Sequence, residues 1–159
     1  MLVDYSPPNS KLGQIGAPSL SLPAGYTCPF AKICKSYAHR HGEKVFGGKA
    51  IKDTGDIRCY AASAEVAYPA VRKMRWRNFD LINEVLKTSG VQGLTQLLLD
   101  SLKFYEQKHG QLKVFRVHES GDFFNEAYFE AWLRVANARP SVLFYAYTKS
   151  LPFWAAKKR

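Results

Sequence analysis

Three cysteines, Cys28, Cys34 and Cys59, are the residues whose type and spacing point most directly to chemistry. Five residues separate the first two, and 24 residues separate the second from the third. An odd number of cysteines without a secretion signal argues against a disulfide framework. Thiolates are soft ligands that select zinc, copper(I) or iron–sulfur clusters over magnesium or calcium. The sequence therefore predicts one inorganic site built from all three.

The spacing of these cysteines leaves three interpretations open. A structural zinc site usually has four ligands in two closely spaced pairs, and His39 or His41 could complete a Cys3His set. A [4Fe–4S] or [3Fe–4S] cluster accepts more varied spacing because it is larger than one ion. With three cysteines, one iron of a four-iron cluster is open to a small molecule, water or another side chain. The third interpretation is three unrelated thiols, partly buried as small apolar groups.

The elements predicted around the cysteines are short and mixed. Residues 1–16 are rich in Pro, Ser and Gly and predict an irregular arm, and residues 19–22 alternate as in a short strand. Residues 37–58 predict an exposed loop or a small hairpin. Helix-forming residues follow Cys59, and the two amphipathic segments after them end at Gly90 and Gly110.

Residues 113–148 show the order strand, helix, strand, with Asp122 or Asn125 as candidate helix caps. This order predicts a parallel, right-handed βαβ unit. Functional groups gather at the carboxyl ends of such strands, here at residues 118–122 and 148–150. His118 is thus a candidate for facing a cluster or a substrate. We predict a single α/β domain over residues 1–159, with a small, mostly parallel sheet flanked by helices.

The charge of the chain suggests a second class of function. The formal net charge is +10 and the sequence pI is about 9.6, which favours a polyanionic partner such as nucleic acid. Four cations surround Trp76 and could grip a phosphate backbone while the ring stacks on a base. Their alternative role is a solvated helix face with Trp76 in the core. The four are Arg72, Lys73, Arg75 and Arg77.

Several function classes find no support in the sequence. No Ser–His–Asp order, phosphate-binding loop or H-E-x-x-H motif is present, so classical hydrolase chemistry is not indicated, and whether the chain is an enzyme stays open. No apolar run approaches the roughly 18–20 residues needed to cross a bilayer, and the N-terminus does not resemble a secretory signal. We therefore expect a cytoplasmic protein without a membrane partner.

Four long segments resemble the phage gene product 88 family, and together they reach from about residue 16 to residue 154. They are SLSLPAGYTCPFAKIC, RCYAASAEVAYPAVRKMRWRNFDL, FRVHESGDFFNEAYFEAWLRVA and LFYAYTKSLPFW. More distantly, the family resembles radical S-adenosylmethionine proteins, in which a partial (β/α) barrel holds a three-cysteine [4Fe–4S] cluster.

This resemblance implies a phage-encoded iron–sulfur protein of the host cytoplasm, with Cys28, Cys34 and Cys59 as cluster ligands and a sheet that is part of a (β/α) barrel. With three cysteine ligands, a small molecule is a candidate partner at the open iron, and the sequence identifies no redox partner. The chain departs from the radical enzymes, whose cysteines form a compact C-x3-C-x2-C run. Members of the family are also expected to be longer than this chain.

Overall fold

The computed structural model describes residues 1–8, 16–32, 34, 36–41, 51–53 and 58–157, with backbone only for 51–53. Its strands are β1 (Tyr5–Ser6), β2 (Ser19–Ser21), β3 (Ser36–Ala38), β4 (Ile51–Asp53), β5 (Val114–Ser120) and β6 (Leu143–Tyr145). Its helices are α1 (Tyr60–Ala67), α2 (Pro69–His109), α3 (Glu126–Ala138) and α4 (Leu151–Lys157).

Four strands form one open sheet in the order β1-β2-β5-β6. β5 lies parallel to both β2 and β6, and β1 is antiparallel to β2. The prediction of a small, mostly parallel sheet with flanking helices is confirmed, including the βαβ unit β5-α3-β6. A closed barrel does not form. The edge strands β1 and β6 have two and three residues and are not paired with each other.

The N-terminal segment is more ordered than its composition predicts. Within the predicted irregular arm, β1 pairs with β2. Asn78 of α2 fixes the adjoining backbone, because it accepts from the Asp4 N–H and donates to the Asp4 carbonyl, both at 2.9 Å. Residues 9–15 of the predicted arm lie outside the described residues. The hairpin alternative for residues 37–58 is confirmed by the antiparallel pair β3–β4.

The core lies between the sheet and the helices α2 and α3. Leu94, Leu98 and Leu102 recur at helical spacing and are fully buried, and they pack with Phe115 of β5. α2 is interrupted at Gly90, whose φ of 61° ends its first half as the sequence predicts. Among the described residues, no helix is long and apolar enough to span a membrane.

Candidate functional site, a cysteine-lined cavity

Cys28, Cys34 and Cys59 line one cavity of about 180 Å³, called the cysteine cavity below. His118 near the end of β5, Asp122 just after β5 and Lys149 in the segment after β6 also line it. Each cysteine is partly exposed and none is in a disulfide. A water molecule occupies about 30 Å³ in the liquid. The cavity is therefore several times larger than one water molecule, and larger than a single metal ion needs. His118, a candidate for facing a cluster or a substrate, therefore lines the same cavity as the three cysteines.

The loop that carries Cys28 is held by close backbone contacts on two sides. Gly25 has a φ of +75°, and a Cβ there would lie 2.3 Å from the carbonyl oxygen of Ser36. Gly121 has a φ of +83°, and a Cβ at this position would lie 2.4 Å from Oγ1 of Thr27. Only glycine permits both the conformation and the approach. These two positions bring the Cys28 loop against β3 and against the end of β5.

Cys59 stands at the N-cap of α1, and two contacts place it. Its backbone N–H donates to Ser36 Oγ at 2.9 Å, while its side chain makes no capping hydrogen bond. Further along α1, the buried Glu65 accepts from the Ala24 N–H at 2.8 Å and from Arg75 at 2.9 Å. Glu65 therefore ties α1, which begins after Cys59, to the loop that leads to Cys28.

The ends of β5 and β6 are joined by one buried carboxylate. Asp122 Oδ2 accepts from the Lys149 N–H at 2.7 Å, and Oδ1 accepts from the Phe123 N–H and the Thr148 hydroxyl. Asp122 thus organises the loop after β6 and is not the cap of α3. That cap is Asn125, whose Oδ1 accepts from the Tyr128 N–H at 2.8 Å.

His118 lies in the wall of the cysteine cavity and is only 2% exposed. Its Nε2 is 2.9 Å from the Tyr128 hydroxyl, and its ring meets Phe123 edge to face. Nδ1 has no hydrogen-bond partner among the described residues. Burial, aided by the charge of Arg116, lowers the pKa of His118 from 6.5 to about 3.

Burial and neighbouring charges shift the pKa values of two groups at the cavity, the Cys28 thiol and the Lys149 ammonium group. Burial raises the pKa of Cys28 from 9.0 to about 11, and the charges of Asp122, Cys59 and Cys34 add to that rise. Desolvation opposes the charge of Lys149, but its hydrogen bond to Cys34 and the charges of Cys34 and Cys28 raise its pKa overall. The cavity therefore holds one ammonium group beside its sulfur atoms, and Cys28 must release a proton before it can bind a metal.

In the metal-free protein, we expect iodoacetamide to alkylate Cys28 at about pH 8 at least tenfold more slowly than the same cysteine in the urea-unfolded chain. The thiolate is the nucleophile, and a pKa near 11 leaves little of it even after allowing for its greater reactivity. Peptide mass spectrometry over a time course measures both rates. Equal rates in the folded and unfolded chains would contradict the environment assigned to Cys28.

We expect the metal-free protein to lose stability as the pH falls from about 6.5 towards 3, by up to about 5 kcal/mol from His118 alone. The unfolded chain binds a proton at His118 in this range, whereas the folded chain does not. Urea unfolding at several pH values measures the slope. His118→Gln should flatten it, and His109→Gln, at an exposed histidine, should not. An unchanged slope in His118→Gln would refute the assignment.

The donor set fits a thiolate-bound group larger than one ion. Three soft sulfur donors face one cavity, and an ammonium group stands beside them to offset negative charge. In the described part of the chain, no three His, Cys, Asp or Glu side chains converge closely enough to hold a single metal ion. The two histidines that could complete a Cys3His zinc site, His39 and His41, do not line the cysteine cavity.

Arg116, Tyr60 and Tyr147 also line the cavity, although the sequence analysis did not single them out. Arg116 donates to the His118 carbonyl at 2.8 Å and lies over the Tyr147 ring at 5.4 Å. The signal for Arg116 was present in the sequence, because residues 116, 118 and 120 share one face of a strand. The two tyrosines carried no such pattern.

The cationic segment of α2 is only partly a solvated face, and Trp76 is buried as that alternative expects. Arg72 and Arg75 are 8% and 5% exposed and bind α1, through the Glu65 carbonyl at 2.6 Å and the Glu65 carboxylate at 2.9 Å. Trp76 is 7% exposed, and the guanidinium of Arg40 lies over its ring at 4.8 Å. Stacking of a base on Trp76 is therefore wrong for this conformation. Lys73 and Arg77 remain exposed.

The comparisons with known proteins give two similar phage proteins. The Gene 88 protein of Mycobacterium phage L5 is 34% identical over 91 residues, and that of Mycobacterium phage D29 is 35% identical over the same length. Each alignment covers 57% of this chain and 38% of the relative, so the matched region is well under half of either relative. No solved structure matches. The family model described as Gene product 88 matches residues 4–158, and the chain therefore belongs to the gene product 88 family.

Proposed function

We propose that this protein binds an iron–sulfur cluster in the cysteine cavity, with Cys28, Cys34 and Cys59 as ligands. One observation carries the proposal. The three cysteines belong to the loop after β2, the approach to β3 and the N-cap of α1, and they nevertheless line a single cavity. All three cysteines of the chain line the same cavity, although they come from three separate segments. Their sulfur atoms are soft ligands of the kind that iron–sulfur clusters use.

The volume of the cysteine cavity favours a [4Fe–4S] cluster over a single zinc ion. A zinc ion needs four ligands within bonding distance of one point, and the described residues offer no such group. A cluster distributes its ligands over several irons, so its cysteines stand further apart. A [3Fe–4S] cluster needs the same three cysteines and is the nearest alternative.

The residues around the sulfurs indicate what the protein contributes. Lys149 places a positive charge beside Cys34, and Asp122 holds the loop that carries Lys149. Hydrogen bonds and charges near the sulfurs set the potential of a cluster. We infer a role in redox chemistry or cluster-dependent binding. We do not extend it to radical chemistry on S-adenosylmethionine, because 24 residues separate Cys34 from Cys59 and the sheet is open.

Anaerobic purification followed by iron and sulfide analysis tests the proposal. We expect about four irons and four sulfides per chain, a broad absorption band near the visible region, and an electron paramagnetic resonance signal after reduction. Three irons per chain would indicate the smaller cluster. A colourless protein with one zinc per chain, or with no metal after anaerobic reconstitution, would refute the proposal.

A second candidate function, nucleic-acid binding, is favoured by a separate groove beside the first half of α2. This groove, of about 410 Å³, is lined by the basic side chains Arg40, His41, Arg72, Lys73 and Arg77, with Asp80 as a single acid among its described lining residues. Such a lining suits phosphate groups. Arg40 covers the Trp76 ring, so this candidate function relies on phosphate contacts and not on base stacking.

If the groove binds nucleic acid, Lys73→Glu should weaken binding to a single-stranded oligonucleotide at least several-fold. The slope of log K against log salt concentration should fall by the equivalent of about one to two phosphate contacts. Lys73 is exposed, so the fold should survive the change. Reversal at Arg72 or Arg75 is unsuitable because both are buried. Fluorescence anisotropy at several salt concentrations measures the effect, with Lys103→Glu as a control on the far half of α2. Equal losses in both variants would remove the groove from consideration.

A further inference from the structure

His118 lines the cysteine cavity, and one nitrogen of its buried ring has no hydrogen-bond partner among the described residues. The side chain is 2% exposed, and Nδ1 lacks a hydrogen-bond partner among the described residues. Buried polar atoms in native structures are almost always paired, so an unpaired one calls for a missing partner. The same residue lines the cavity that all three cysteines line. The partner of Nδ1 is therefore to be sought among the groups that fill this cavity.

We propose that Nδ1 of His118 is the fourth protein ligand of the cluster, completing a Cys3His set with Cys28, Cys34 and Cys59. This inference rests on the proposed function, because it assigns the iron that the three thiolates leave without a ligand. Imidazole nitrogen is an established donor to iron in clusters, where it replaces thiolate. His118 is also the only histidine that lines the cavity in the described part of the chain.

The contacts of the ring suit ligation through Nδ1. Ligating histidines usually donate their second N–H to a fixed acceptor, which selects the tautomer and orients the ring. Nε2 of His118 has that acceptor, the Tyr128 hydroxyl at 2.9 Å, and Tyr128 is itself fully buried in α3. Phe123 holds the ring from the side at 4.7 Å between centroids. With the proton on Nε2, the lone pair of Nδ1 is available to a metal.

A fourth protein ligand changes the chemistry expected at this site. A four-iron cluster bound by three thiolates alone has one iron that can take a small molecule, whereas a Cys3His set leaves no iron open. The inference thus favours electron transfer or structural stabilisation over catalysis at an open iron. Nitrogen ligation also raises the reduction potential relative to an all-thiolate cluster, since a neutral ligand replaces a charged one.

Pulsed electron paramagnetic resonance of the reduced protein tests this ligand. The protein is reconstituted anaerobically with iron and sulfide after growth on ¹⁵N-labelled histidine. We expect a nitrogen hyperfine coupling that changes with the label, is lost in His118→Gln and is kept in His109→Gln. The glutamine side chain of the first variant keeps an amide nitrogen for the Tyr128 hydroxyl but has no ring nitrogen in place of Nδ1. His118→Cys provides a second variant that offers a fourth thiolate, and it should keep its iron, lose the coupling and have a lower potential.

The outcomes separate this inference from the function on which it rests. Iron and sulfide bound without any nitrogen coupling would overturn the role of His118 and leave cluster binding by the cysteines intact. A coupling that persists in both His118 variants would assign the ligand to another residue and overturn the inference. Absence of iron and sulfide from the wild-type protein would overturn the proposed function itself.

Discussion

Cys59→Ala is expected to lower bound iron and sulfide per chain by at least about tenfold relative to the wild type. Cys59 is the most distant of the three cysteines in sequence, and its bond to Ser36 and the packing of α1 against the loop after β2 bring it to the cavity. Because its side chain makes no capping hydrogen bond, its removal should leave α1 in place. Colorimetric iron and sulfide analysis after anaerobic reconstitution measures the loss.

Tyr60→Phe is the matched control for this experiment. Tyr60 is the next residue in the chain and also lines the cavity, but it is 67% exposed and its hydroxyl only donates to the Glu119 carbonyl at 3.1 Å. We expect this variant to bind wild-type amounts of iron. Circular dichroism of both variants checks that the fold is kept. Wild-type iron in a folded Cys59→Ala variant would exclude Cys59 from the ligand set, and equal loss in Tyr60→Phe would show that the assay reports on the fold.

Arg75→Met is expected to lower the free energy of unfolding by about 3–5 kcal/mol, the largest effect of a substitution on stability predicted for this chain. Arg75 and Glu65 have side chains 7% and 1% exposed and form an ion pair at 2.9 Å. Removing the guanidinium takes away the ion-pair partner of a buried carboxylate, which keeps the Ala24 N–H and the more distant charge of Arg72. Since small domains are stable by about 5–15 kcal/mol, urea unfolding will detect the change readily.

Two further variants test whether this effect comes from the buried charge. Arg134→Met removes an exposed ion pair with Glu130, and we expect a cost of less than about 1 kcal/mol. The double variant Arg75→Met/Glu65→Gln removes both charges of this ion pair and should recover part of the loss, because the buried carboxylate is gone together with its partner. A loss below about 1 kcal/mol in Arg75→Met would contradict a structural role for the pair.

Local patterns in the sequence were sufficient for much of the fold. Alternation over residues 19–22 and the apolar runs after residues 113 and 141 predict the three strands that form the parallel part of the sheet. Gly90, which has a positive φ, marks the break in α2 as predicted. These features are set by interactions between residues that are close in the sequence. The expected small, mostly parallel sheet is confirmed, and the tertiary structure adds that the sheet is open and not closed into a barrel.

The cationic residues of α2 show where sequence reasoning reached its limit. Arg72, Arg75 and Arg77 look equivalent in sequence, yet the first two are buried against Glu65 and the third is exposed. A buried arginine requires a partner from another element, and Glu65 is seven and ten residues away on a separate helix. No periodicity in the chain identifies that partner.

The three cysteines were identifiable from the sequence alone, because thiols are rare, soft ligands and this chain has three of them. What only the tertiary structure decided is that Cys28, Cys34 and Cys59 line one cavity and that His118 joins them with Nδ1 unpaired among the described residues. The physical reason is that a ligand set is a property of distances in space. Those distances are fixed here by contacts between remote segments, chiefly the approach of Gly25 to β3 and the bond of Glu65 to Ala24.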